Sequence, residues 1–413
     1  MESPLQHASL QRSAAAELAE QTRHFPCVLV TGARQVGKST LLRDRLPEGM
    51  DYVTLDDLLT YSEATSDPVG FLEKHPSPLC IDEVQYFPDI LRAIKVRIDA
   101  DRHAGMYWLT GSQRFHLMKG VSESLAGRTG IIELGTFSQR EAAGRGGQAV
   151  PIFALDTLPE LVKTAPLCGR EELLHRIVRG GYPELIVQPE LTAHRFFSAY
   201  VQTYIERDVQ DLTQVSDKGA FFRLMRSAAA RTGQQVNYSS LARDAGVTSK
   251  TAKAWVSLLE TSGIVTLLEP YSTSTTKQLA KSPKLYLTDT GLACWLNGIE
   301  DAAALERSPL LGAMVETWAF GQLWRHFTDH GIRPRLCYYR DSRGAEVDFL
   351  IEHRGALTPV EVKWSSTPVL NDLKAALAIP PGFLPLTPGI VLYAGTELHH
   401  LGHGCYAMPL SGI

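Results

Sequence analysis

The residues best spaced for chemistry lie near the start of the chain. Gly32-Ala33-Arg34-Gln35-Val36-Gly37-Lys38-Ser39, followed by Thr40, fits GxxxxGK[ST] in full. The glycines let the backbone wrap around phosphates, Lys38 supplies charge for the terminal phosphates, and the Ser39 hydroxyl is placed for Mg²⁺. An apolar run, Phe25 to Thr31, precedes the loop and a helical pattern, Thr40 to Leu46, follows it. This is the strand–loop–helix setting the motif needs, with the positive end of the helix facing the phosphates. A second run, Leu79-Cys80-Ile81, ends in Asp82-Glu83. Asp82 is expected to hold Mg²⁺ through water and Glu83 to orient and activate the attacking water. A kinase needs no such second acid, so the pair favours hydrolysis. No NKxD guanine motif is present, which makes ATP the expected nucleotide. Ser112 and Gln113, at the end of a fourth run, are candidates to touch the γ-phosphate or its water. Arg128 is either a finger reaching a neighbouring subunit's γ-phosphate in a homo-oligomer or a surface arginine paired with Glu123.

A second constellation lies near the other end. Gly344-Ala345-Glu346-Val347-Asp348 runs into an apolar strand, and Glu361-Val362-Lys363 follows thirteen residues after Asp348. Alternation puts Glu361 and Lys363 on one strand face, beside Asp348 on the neighbouring strand. This D…ExK layout across a hairpin is that of the PD-(D/E)XK nuclease core. Asp348 and Glu361 are candidate Mg²⁺ ligands, with Glu316 from a preceding helix as a third. Lys363 would position water or steady the charge on a scissile phosphate. His399, His400, His403 and Cys405 lack paired ligand spacing and read as a strand end or tail.

Between these lies a basic stretch. Residues 220–290 carry nine Lys and Arg against four Asp and Glu, a net +5, while the rest of the chain is −9. The pattern there is helix (Ser239 to Ala245), turn (Gly246), helix (Thr248 to Thr261) and hairpin, which reads as a winged helix-turn-helix. Ala252, Trp255, Val256 and Leu259 would face the core. Ser249, Lys250 and Lys253 would face a DNA partner, with Lys277 and Lys281 on the wing for phosphates. A rigid connector or protein-binding module is the alternative.

These residues need elements to position them. Runs at Phe25 to Thr31, Tyr52 to Leu55, Leu79 to Ile81, Met106 to Leu109 and Ile131 to Leu134 alternate with helical patterns, which implies a doubly wound parallel sheet. Gly144, Gly146, Gly147 and Pro151 mark a break, after which the reading is helical to about residue 215. The C-terminal part mixes a helix, Leu310 to Phe327, with strands at Cys337 to Tyr339, Val347 to Ile351 and Val360 to Lys363. The expected fold is thus α/β. It comprises a P-loop NTPase sheet (1–143), a helical extension (144–215), a winged helix (216–295) and a restriction-endonuclease-like C-terminal domain (296–413).

The segments GARQVGKST, LCIDEVQ, LTGSQRF and SLAGR resemble the AAA+-like ATPases of the AAA_14 type. GGYPE (180–184) and YIERDV (204–209) resemble the start of the second part that such ATPases carry. The resemblance implies a nuclease-like fold at the C-terminus. Arg207 and Asp208 are left as an interdomain pair, a nucleotide contact or a plain helix face.

Length and composition bound these readings. The chain has 413 residues, two or three domains at roughly 150 residues each. With 44% hydrophobic and 21% charged residues it is neither a disordered tail nor a collagen. A net charge of −4 excludes a polycation, so nucleic-acid affinity must be local. Six cysteines without CxxC spacing, no run long enough to span a membrane and no signal-peptide pattern point to the cytoplasm. The reading is therefore an ATPase acting on DNA, or alternatively a nucleotide-dependent switch or scaffold whose C-terminal half binds a partner without cleavage.

Overall fold

Alternation along Cys27–Thr31 (β1) puts Val28 and Val30 into one apolar cluster and Cys27 and Leu29 into another, so the strand is buried on both faces. The computed structural model describes residues 10–112, 124–212, 217–271, 282–333, 335–341, 343–379 and 384–413. Gln113, Glu123, Lys277 and Lys281, and the side chains of Arg207 and Asp208, lie outside the described residues.

β1 is joined by Asp51–Thr54 (β2), Leu79–Asp82 (β3), Tyr107–Gly111 (β4) and Thr129–Glu133 (β5). The order is β2-β3-β4-β1-β5 and every pairing is parallel. The helix Lys38–Asp44 links β1 to β2, Leu58–Ser66 and Pro68–Lys74 link β2 to β3, and Ile90–Ala100 links β3 to β4. β1 lies between β4 and β5, neither its neighbour in sequence, and ligands of such sheets sit beyond the carboxyl ends of the strands at this reversal. The phosphate loop, Asp82 and Ser112 all emerge at that edge. β5 begins two residues earlier than its apolar run suggests, because Thr129 and Gly130 keep the ladder with Cys27 and Val28. The first helix, Ala15–His24, begins just after Arg12, which is drawn into tertiary contacts.

Four helices span Leu158–Thr164, Arg170–Arg179, Pro183–Val187 and Ala193–Leu212. Lys218–Ala229, the short strand Gln234–Gln235 (β6), Tyr238–Ala245, Ser249–Thr261, Val265–Leu268 (β7) and Lys284–Leu287 (β8) follow. The small sheet has the order β6-β8-β7. The helix borders follow from local chemistry. Asn237 accepts from Ser240 N, Thr248 accepts from Thr251 N, and Gly246 turns the chain at φ +74°.

Beyond the helix Leu311–Thr328, the strands Leu336–Arg340 (β9), Glu346–His353 (β10), Ala356–Lys363 (β11), Ile390–Tyr393 (β12), His399–Gly402 (β13) and Cys405–Pro409 (β14) form a six-stranded mixed sheet, ordered β13-β14-β12-β11-β10-β9. The sequence reading stops at three strands here. The last three are short, and they gain their ladder only through the parallel pairings β11–β12 and β12–β14 and the antiparallel pairing β13–β14.

One apolar core cluster runs from Ala14 to Ile413. Gln139 donates to Gln322 Oε1 at 3.1 Å and to Ile413 O at 2.8 Å. Phe153 N donates to His326 Nε2 at 3.0 Å. Burial pushes the His326 pKa down to about 3, so the imidazole stays neutral and accepts.

Candidate functional site

The phosphate loop is shaped by its glycines. Gly32 has φ +153°, and a Cβ there would sit 2.1 Å from Leu134 O. Gly37 has φ +91°, and a side chain built on it would touch Pro183 of the GGYPE segment. The Lys38 ammonium curls over the loop and donates to Ala33 O at 2.8 Å and Gly32 O at 3.2 Å. Ser39 Oγ donates to Asp82 Oδ1 at 3.0 Å, so hydroxyl and carboxylate meet where a Mg²⁺ ion and its water would lie. Tyr52 OH donates to Asp82 Oδ2 at 2.5 Å, and Thr110 Oγ1 also donates to the carboxylate. Glu83 stands next to it in the left-handed region at φ +58°, its backbone N–H on Thr110 Oγ1 at 3.0 Å. Gln85 donates to Glu83 and, at 3.3 Å, to the buried Ser112 hydroxyl. Ser112 thus joins the Glu83 network. Donor set and loop shape both fit a nucleoside triphosphate with its cation.

Arg128 is not beside this loop. It precedes β5, at the opposite end of the sheet, and its Nε lies 2.7 Å from Asp99. Arg12, absent from the sequence candidates, does brace the loop. It donates to Val36 O at 2.6 Å and Gly135 O at 2.8 Å, and pairs with the fully buried Glu141 at 2.9 Å.

The C-terminal acids are gathered by three elements. The β10–β11 register pairs Phe349 with Val360, and one further step sets Asp348 opposite Glu361. Asp348 Oδ2 accepts from Val362 N at 2.9 Å, and Lys363 Nζ donates to Glu361 Oε2 at 2.8 Å. Glu361 Oε1 is buried with no partner. Glu316 comes from the helix Leu311–Thr328. Burial and then the Asp348 charge push the Glu316 pKa up to about 7 and the Glu361 pKa up to about 8, and burial raises Asp348 too. An unpartnered buried carboxylate oxygen among three acids fits a divalent cation. Among the described residues, however, no three acids, histidines or cysteines stand in a ready metal-binding array.

Lys284 lies among these acids. The sequence reading counts it among the nine bases of residues 220–290, but its side chain is only 2% exposed, and its ammonium lies 3.0 Å from Glu316 Oε1 and 2.6 Å from Glu346 Oε1. Tyr286, two residues on along β8, donates to Glu316 Oε1 at 2.5 Å. A lone lysine opening the otherwise apolar strand KLYL was the signal available. The other middle bases are partly committed as well. Arg231 pairs with Asp244 at 2.6 Å, Arg223 donates to Ala245 O at 2.9 Å, and Arg226 donates to Leu296 O at 3.2 Å. Ser249, Lys250 and Lys253 are exposed on one helix, while Ala252, Trp255, Val256 and Leu259 are buried.

The first sheet and its loop define an AAA-type P-loop ATPase domain. Residues 24–143 match a family model described as an AAA domain. Residues 170–303 and 311–413 match two models each described as a domain of unknown function, DUF8612 and DUF4143. The uncharacterized protein Rv2008c of Mycobacterium tuberculosis is 29% identical over 411 residues, covering 98% of this chain and 84% of that protein. Among solved structures, the Walker-type ATPase of Pyrococcus abyssi is similar at 16% identity and a TM-score of 0.44, over 72% of this chain and 98% of that one. Thermotoga maritima RuvB is similar at 17% identity and a TM-score of 0.28, over 61% and 88%. No helix among the described residues is long and apolar enough to cross a membrane.

Proposed function

We propose that the chain is a Mg²⁺-dependent ATPase of AAA+ type that acts on DNA, coupling ATP hydrolysis to DNA binding or cleavage through its C-terminal acids. Lys38 would leave the loop carbonyls for the β- and γ-phosphates. Ser39 and Asp82 would hold Mg²⁺, which neutralises charge on the phosphates. Glu83, held by Gln85, would orient water and take its proton. Arg128 would complete the site only by reaching into a neighbouring copy, after leaving Asp99.

The observation that carries the DNA reading is the meeting of Asp348, Glu361 and Lys363 on paired strands beside Glu316. Asp348 and Glu361 would hold a divalent cation that polarises a phosphodiester, with Lys363 steadying the oxygen that gains charge. The order helix, β6, helix, helix, β7, β8 supports a winged helix, and exposed Ser249, Lys250 and Lys253 support its contact with the DNA backbone. Lys284 favours a second reading, a nucleotide-dependent switch or scaffold, because a cluster that already holds a buried ammonium has less need of a metal. A paired assay tests both. Mg²⁺- or Mn²⁺-dependent cleavage of single-stranded, double-stranded or branched DNA, with DNA-stimulated ATPase, supports the first. Intact DNA and unstimulated ATPase leave the switch.

A further inference from the structure

Lys284 joins two parts of the chain that match different family models, 170–303 and 311–413. It starts β8 in the three-stranded sheet, while its acidic partners stand on the helix Leu311–Thr328 and on β10. A buried ammonium persists only where carboxylates compensate its lost hydration. Three do so here: Glu316 and Glu346 touch it directly and Asp348 acts on it through space, while Glu361, opposite Asp348, has its own ammonium, Lys363. The Tyr338 ring closes the remaining side, 5.5 Å from the ammonium to its centroid. Glu346 also faces Arg340 at 3.4 Å and so keeps a cationic partner if Lys284 departs. Glu316 keeps only the Tyr286 hydroxyl. Without Lys284, Glu316 has no cationic partner, and a divalent ion bound to Glu316 would stand within a few ångströms of the ammonium, where like charges repel strongly.

We propose that Lys284 is a built-in counter-cation that competes with a divalent metal for the Glu316–Asp348–Glu361 cluster, so that the position of β8 sets whether the cluster takes metal. The proposal rests on the reading of these acids as a metal site. It makes the small sheet, and not the nucleotide loop, the element that governs the cluster directly.

The test is Mn²⁺ binding by the full chain without nucleotide, in an Asp82→Asn background that removes the other cation site. Lys284→Gln should tighten Mn²⁺ binding by roughly tenfold or more, and adding Asp348→Asn should abolish the gain. Equal Mn²⁺ binding with and without Lys284→Gln overturns the competition and leaves the metal site standing. No Mn²⁺ binding by either chain overturns both. Because the substitution strips a buried partner from Glu316, a second arm uses the chain with Lys284 intact. Reductive methylation mapped by mass spectrometry should find Lys284 protected without Mn²⁺ and reactive with it, and protected again in Asp348→Asn. Equal reactivity with and without Mn²⁺ overturns the proposal.

Discussion

The molecule holds two acidic sites built from the same residue types and finished in opposite ways. Asp82 receives three hydroxyls, from Ser39, Tyr52 and Thr110. The nearby Lys38 is occupied with backbone carbonyls. Glu316 receives one hydroxyl and a buried ammonium. Hydroxyl partners leave the negative charge in place for an arriving cation, whereas an ammonium cancels it. Carboxylate count alone therefore says little about readiness for metal, because the nearest protein cation decides it.

The strongest way to break this comparison is at the first site. Lys38→Ala should cut ATP turnover by roughly 10³-fold, and Glu83→Gln by roughly 10²-fold or more with nucleotide binding retained. Steady-state turnover and a fluorescent-nucleotide titration separate the two. At the second site, Asp348→Asn or Lys363→Ala should remove Mg²⁺-dependent DNA cleavage and leave ATPase within about twofold. Parallel loss of ATPase would mean that the sites are not independent.

Stability against pH sharpens the contrast further. The folded chain holds the Glu361 proton up to about 8, against the ordinary value of 4.5, so the folded state binds the proton more tightly than the unfolded one. Without metal, stability should therefore fall as pH rises from about 4.5 to about 8, by at most ~1.4 kcal/mol per pH unit from this group. Glu361→Gln should flatten that slope in urea-unfolding midpoints taken at intervals across the window. The smallest effect expected is at the exposed helix. The double change Lys250→Ala and Lys253→Ala should lower the salt slope of DNA binding by about 2, read from affinities at several salt concentrations.

The nucleotide site was the more legible of the two because its residues are local. Gly32 to Ser39 carry their chemistry in one continuous motif, and Asp82-Glu83 close an apolar run. What the sequence reading missed there arrives through tertiary contact. Tyr52 and Thr110 reach Asp82 from adjacent strands, and Arg12 reaches Val36 from the chain start. The C-terminal motif gave Asp348, Glu361, Lys363 and the helical Glu316, because hairpin alternation fixes the first three. It did not give Lys284 or Glu346. Lys284 is 32 residues from Glu316, and only the packing of β8 under the helix brings them together. The same packing revises the basic middle, whose +5 includes a lysine that never meets solvent.

The turn at Gly263 has a practical consequence. It ends the helix Ser249–Thr261 at φ +73°, and a Cβ there would sit 3.2 Å from Ala33 N in the phosphate loop. Thr288 holds the same turn through a 2.6 Å hydrogen bond to Gly263 O. The nucleotide loop is thus walled by a segment more than 200 residues downstream. A fragment cut after the first sheet would keep every residue of the ATP motif and lose one side of the pocket. Its nucleotide affinity would describe the fragment and not the intact chain.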